Sequence, residues 1–114
     1  MDLPAVSNVF IKISGIEAGV AGDLALMRGL LLDISSRLEL RVLGEKFHQF
    51  EPSGVTGVLL LSESHIAVHS WPENNYAIVE LLTCKPFAAA EQSALADTLH
   101  KALGAVQFTI TVNR

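Results

Sequence analysis

The stretch S-E-S-H-I-A-V-H-S-W-P-E (62–73) puts Ser62, Glu63, Ser64 and His65 in the connection between two apolar runs, where Gly, Asn or Pro would be ordinary. Hydroxyl, carboxylate and imidazole are the groups of nucleophiles and proton carriers. A period of two along a strand places His65, Ala67, His69 and Trp71 on one face and Ile66, Val68 and Ser70 on the other. In the following strand Tyr76, Ile78, Glu80, Leu82 and Cys84 share a face by the same rule. If the two faces coincide, a thiol, a carboxylate and imidazoles converge.

The residue types alone leave three readings open. In the first, His65 and His69 are surface residues of a half-exposed strand and Cys84 is a small buried hydrophobe. In the second, His48, His65, His69 and Cys84 are metal ligands, although no C-x-x-C or H-E-x-x-H spacing is present. In the third, a histidine activates Ser62 or Ser64 for hydrolysis, without the G-x-S-x-G elbow.

The elements that must position these groups follow from pattern. V-F-I-K-I-S (9–14) reads as a strand, and Gly15, Gly19 and Gly22 break it. Asp23 suits an N-cap for a helix whose stripe is Leu24, Met27, Leu31, Ile34 and Leu38. Residues 38–50 hold a second strand with a bend at Gly44, and Glu51-Pro52-Ser53-Gly54 is a turn. Strands are expected at 55–62, 65–71 and 76–84, the last two joined by Pro72-Glu73-Asn74-Asn75. A helix opens at Pro86 and runs to about Leu103, with Leu95, Leu99 and Ala102 on one face; Gly104 stops it. The alternating V-Q-F-T-I-T-V (106–112) closes the chain as a strand. The expected fold is an α+β two-layer sandwich, a mainly antiparallel sheet with two helices packed on one face.

With 114 residues, half of them apolar, the chain is sized for a single domain over 1–114 with one core. A net charge of −4 without a basic stripe argues against nucleic acid as a partner. No apolar run reaches the ~20 residues of a membrane span. One cysteine and no signal-like opening suit a cytoplasmic setting. So apolar a small domain is expected to cover surface by forming a homodimer.

The stretch G-V-T-G-V-L-L-L-S-E-S-H-I-A-V-H-S-W-P-E (54–73), followed by Tyr76-Ala77 and Thr83-Cys84 and preceded by F-H-Q-F-E-P (47–52), closely resembles the bacterial and archaeal S-adenosylmethionine decarboxylase proenzymes. These are pyruvoyl enzymes that cleave themselves at a Glu-Ser bond. The resemblance implies cleavage between Glu63 and Ser64 into 1–63 and 64–114, with Ser64 converted to the pyruvoyl group. It assigns His69 to processing, the Thr56 hydroxyl to proton donation in processing, and Cys84 to protonating the substrate carbanion. The pyruvoyl carbonyl then forms a Schiff base with a small-molecule substrate's amine and acts as the electron sink, so that neither a metal nor pyridoxal phosphate is required. Where the family often has Ser, Thr56 keeps the hydroxyl.

Phe50 and Trp71 suit an adenine and a sulfonium, with Phe47 a further aromatic candidate and Glu73 a nearby acid. The family's first strand usually ends in a pattern like D-L-Y-G-C-D, where this chain has K-I-S-G-I-E (12–17), so Lys12 and Ser14 replace an acid and an aromatic. Lys85 stands where Gly is customary after Thr83-Cys84. S-adenosylmethionine is the first expected substrate, in a polyamine-forming role, with Lys12 pointing away from the pocket. The alternatives are the same chemistry on L-ornithine or L-arginine, and a non-catalytic partner subunit.

Overall fold

The computed structural model describes residues 3–114, so residues 1 and 2 of the expected domain lie outside it. The elements run β1 (Ser7–Ser14), α1 (Ala18–Ala21), α2 (Leu24–Arg37), β2 (Val42–Gln49), β3 (Val55–Leu61), β4 (Ser64–Trp71), β5 (Tyr76–Thr83), α3 (Ala89–Leu103) and β6 (Gln107–Asn113). One six-stranded sheet in the order β2-β3-β4-β5-β1-β6 is antiparallel at every pairing. The α+β two-layer expectation therefore holds.

Alternation decides which face of the sheet the helices cover. Val9, Ile11 and Ile13 of β1, Leu59 and Leu61 of β3, Ile66 and Val68 of β4, and Ala77, Val79 and Leu81 of β5 are buried. Against them lie Met27, Leu30, Leu31 and Ile34 of α2, and Leu95 and Leu99 of α3. The opposite face carries no helix among the described residues and holds every candidate strand residue named above except Phe47 and Ser64, which share the parity of the buried positions.

The stops and starts follow local chemistry. The Asp23 carboxylate accepts the Leu26 amide at 3.0 Å, capping α2 as expected. Gly104, with φ +82, ends α3 in a conformation that a side chain disfavours. The second helix begins at Ala89, three residues after Pro86, and Glu91 reaches back to accept the Ala88 amide at 2.7 Å. The glycine-broken stretch folds into the short α1, whose Ala21 carbonyl accepts a 2.7 Å bond from the buried Ser70 hydroxyl. The Ser70 hydroxyl in turn accepts the Val55 amide at 2.9 Å and so ties β3 and β4 to the helical layer.

Irregular pairing between Val42 and Gly44 gives the bend expected at that glycine and sets the faces of β2. Glu45 faces the helices, where Arg28 of α2 holds it through two bonds of 2.6 and 2.8 Å, and the same bonds keep its carboxyl below the usual range. Phe47 lies opposite Gly57 and covers it so closely that a Cβ at 57 would sit 2.0 Å from the ring. Phe47 is thus a packing residue, which removes it from the candidate substrate contacts. No helix among the described residues is long and apolar enough to cross a membrane.

Candidate active site

The β3–β4 hairpin pairs Leu61 with Ser64, leaving only Ser62 and Glu63 to make the turn. Two-residue hairpin loops need a positive φ, which glycine or asparagine normally supplies. Here Glu63 takes it, with φ +67. A side chain in that region costs roughly 1–2 kcal/mol, so the peptide ahead of Ser64 carries backbone strain. Ser64 begins β4 rather than sitting in the loop, and its hydroxyl leans back toward the Ser62 carbonyl at 3.4 Å.

Next to that turn ends β5. The register pairs His65 with Leu82, which places Thr83 and Cys84 beside the start of β4. The Cys84 thiol donates to the Glu63 carbonyl across 3.8 Å. Cys84 is exposed, which excludes the reading of it as a buried hydrophobe. A cavity of ≈ 350 Å³ is lined by Glu63, Ser64, Thr83, Cys84 and Lys85 together with residues 39–41. The Glu63-Ser64 peptide and the thiol thus share one hollow.

Thr56 and His69 form a second group. Register places them opposite each other, with Thr56 Oγ1 3.1 Å from His69 Nδ1. They line a hollow of ≈ 280 Å³ with Phe50, Trp71 and Glu73, so all three candidate substrate contacts gather beside the Thr56–His69 pair. His48 pairs with Thr56 and packs edge-on to Phe50 at 4.6 Å between ring centres. Along β4, however, His69 lies five residues from Ser64, about 16 Å at ~3.3 Å per residue. Neither Thr56 nor His69 reaches the Ser64 of its own chain. Cys84 lies past the end of β5 next to the start of β4, at the far end of the sheet from His48 and His69, and among the described residues no three potential ligands are placed to share a metal ion.

Lys12 pairs with Ile78, which pairs with His69, so all three occupy the open face. Lys12 therefore lies on the site's side of the sheet yet lines neither hollow. Because β1 alternates Val9, Ile11 and Ile13 inward, Phe10, Lys12 and Ser14 must emerge beside the histidines. Glu80 lies on the same face and meets His65 at 3.4 Å. That pair was not assigned from sequence; a cross-strand register was needed to find it.

The S-adenosylmethionine decarboxylase profile matches residues 7–114. The chain belongs to that family. It is 36% identical over 86 residues to the S-adenosylmethionine decarboxylase proenzyme of Pyrococcus horikoshii, covering 75% of this chain and 62% of that protein. With the proenzyme of Prochlorococcus marinus the identity is 41% over 83 residues, covering 73% and 65%. The match thus spans less than two thirds of either family member's length. The fold is that of the crystal structure of the adenosylmethionine decarboxylase from Aquifex aeolicus, with TM-score 0.77 and 24% identity over 96% of this chain and 91% of that one.

Proposed function

We propose that this family member cleaves itself between Glu63 and Ser64 and then decarboxylates S-adenosylmethionine as a cytoplasmic homodimer. The observation that carries the reading is the strained Glu63 turn with the Cys84 thiol on its carbonyl. Strain at the scissile peptide and a donor on its oxygen both favour attack by the Ser64 hydroxyl, which turns the amide into an ester. Removal of the Ser64 α-hydrogen expels the Glu63 carboxylate and ends the first fragment at residue 63. Water then displaces ammonia from the dehydroalanine left at position 64, and a pyruvoyl end results.

The residues at the turn suit that group, since Ser64 is the only source it needs and the adjoining hollow has room for a substrate amine. The pyruvoyl carbonyl supplies an electron sink for the pair released when carbon dioxide departs. Cys84 then delivers a proton to the substrate carbon from the same hollow. Phe50, Trp71 and Glu73 offer two aromatic faces and a carboxylate for the adenosyl group and its sulfonium.

Two copies stacked through their open faces reconcile the two hollows. That face exposes Phe50, Val58, Leu60 and Trp71, with Leu60 56% accessible, an apolar surface that a second copy would cover. A two-fold axis passing near Ala67, midway between Ser64 and His69, brings Thr56 and His69 of one copy to the Glu63-Ser64 turn of the other. The substrate contacts travel with them, so each site draws its cleaved end and thiol from one chain and its nucleoside contacts from the other.

A second reading has one observation in its favour. Lys12 and Ser14 put a cation and no aromatic on the open face two strands from His69 and Trp71, which suits ornithine or arginine as the substrate once an acid such as Glu80 offsets the lysine. A non-catalytic partner subunit remains the third.

The proposal is tested with Cys84→Ala. The variant is expected to produce both fragments yet lose about a hundredfold in carbon dioxide release from carboxyl-labelled S-adenosylmethionine. Full turnover without deamination of substrate would remove Cys84 as the proton donor.

A further inference from the structure

Cys84 lies one residue beyond the end of β5, so the sheet ladder does not hold it. What does hold it is a segment far away in sequence. Residues 39–41 leave the C-terminus of α2 in a tight turn, with Glu39 at φ +57 and its amide bonded to the Ser36 carbonyl at 3.1 Å. The Leu40 amide donates to the Ser35 carbonyl at 2.8 Å, which seats the segment on the helix. From that seat the Arg41 carbonyl accepts the Ser62 amide at 3.0 Å, gripping the scissile turn. The Glu39 carbonyl accepts the Lys85 ammonium, gripping the turn that carries the thiol.

We propose that Lys85 is a positioning residue that clamps Cys84 and the Glu63-Ser64 turn to one brace, residues 39–41, and so aims the thiol's proton. The proposal rests on the decarboxylase reading of Cys84. The Lys85 amide also donates to the Thr83 hydroxyl at 3.0 Å, which curls the Thr83–Lys85 turn, but that bond is internal to the turn and does not fix it against Ser64. Only the lysine side chain crosses to the brace. A glycine at this position could not make the link, so the clamp belongs to chains that carry a long donor here.

Loss of aim has a chemical signature. The electron pair released with carbon dioxide takes its proton at the substrate carbon in the normal reaction. Should the proton arrive instead at the carbon contributed by Ser64, water releases the substrate as an aldehyde. The substrate's nitrogen then stays on the protein, and the end at residue 64 becomes alanyl, with a free amine. A thiol that wanders from its post lets this second outcome grow.

The test compares Lys85→Met, which keeps the stem and loses the donor, with Lys85→Arg, which keeps a donor. Lys85→Met is expected to cleave normally, to hold KM for S-adenosylmethionine within about twofold, and to lose about tenfold in kcat. N-terminal sequencing should show alanyl ends at residue 64 accumulating with turnover in Lys85→Met and returning to the unsubstituted level in Lys85→Arg. In uncleaved chains carrying Ser64→Ala, amide hydrogen exchange over residues 83–87 should quicken with Lys85→Met and not with Lys85→Arg. Unchanged exchange, or unchanged kcat and alanyl ends, overturns the clamp while leaving the decarboxylase reading intact. If the unsubstituted chain releases no carbon dioxide, it is the decarboxylase reading that fails, and the exchange measurement still decides the clamp.

Discussion

Ser64→Ala is expected to leave one chain of full length, where the unsubstituted sequence resolves by intact mass into 1–63 and a 64–114 fragment with a blocked end. The effect is all or none because the chemistry has one nucleophile. The neighbouring Ser62 hydroxyl belongs to the residue before Glu63 and cannot yield a pyruvoyl end at 64. Ser64 starts β4 with its hydroxyl only 3.4 Å from the Ser62 carbonyl, an exposed contact whose loss is a small packing change, so the variant should fold and melt near the unsubstituted chain. Full-length chain after long incubation of the unsubstituted protein would count against self-processing and favour the partner-subunit reading.

Mixing two inactive chains is expected to restore cleavage. Alone, His69→Ala should slow processing by about a hundredfold, the scale of losing one proton-handling group. Co-expressed in equal amounts with Ser64→Ala, it should be rescued in the mixed dimers, where its intact Ser64 faces the partner copy's intact Thr56 and His69. Random pairing puts about half of the His69→Ala chains in such dimers, so about half should cleave at the normal rate, read by intact mass. The roughly 16 Å between Ser64 and His69 along β4 is what makes the result informative. If mixing adds no cleavage beyond that of His69→Ala alone, each chain processes itself and the shared-site dimer is wrong.

Much of this site was readable before any coordinates, for a definite reason. Side chains alternate along a strand without exception unless a bulge intervenes, so the shared face of His65, His69 and Trp71, and that of Tyr76, Ile78 and Glu80, followed from spacing, whereas Cys84 falls one residue past the strand to which that rule applies. Sequence alone did not show that the two faces are the same face, because that depends on register, here His65 against Leu82. The side of the sheet that Lys12 takes was hidden for the same reason. Its parity was plain from V-F-I-K-I-S, but β1 inserts between β5 and β6, and only that order sets it beside Ile78. Phe47 and Phe50 looked alike as aromatics, yet the irregular pairing at Gly44 sends the first onto Gly57 and leaves the second on the open face. The four-residue α1 lay in a stretch of glycines too short to show a period. The bond from Lys85 to Glu39 spans 46 residues, and no local pattern marks it.

The site opened at Ser64 is proposed to act on S-adenosylmethionine. Its most direct test is carbon dioxide release from carboxyl-labelled S-adenosylmethionine, ornithine and arginine by the cleaved protein, compared as kcat/KM and repeated in Phe50→Ala. S-adenosylmethionine is expected to be the preferred substrate of the unsubstituted protein, and Phe50→Ala is expected to weaken it alone, by about tenfold, since only the nucleoside uses the ring. A higher kcat/KM for ornithine or arginine, unaffected by Phe50→Ala, would contradict it and give the site to a basic amino acid.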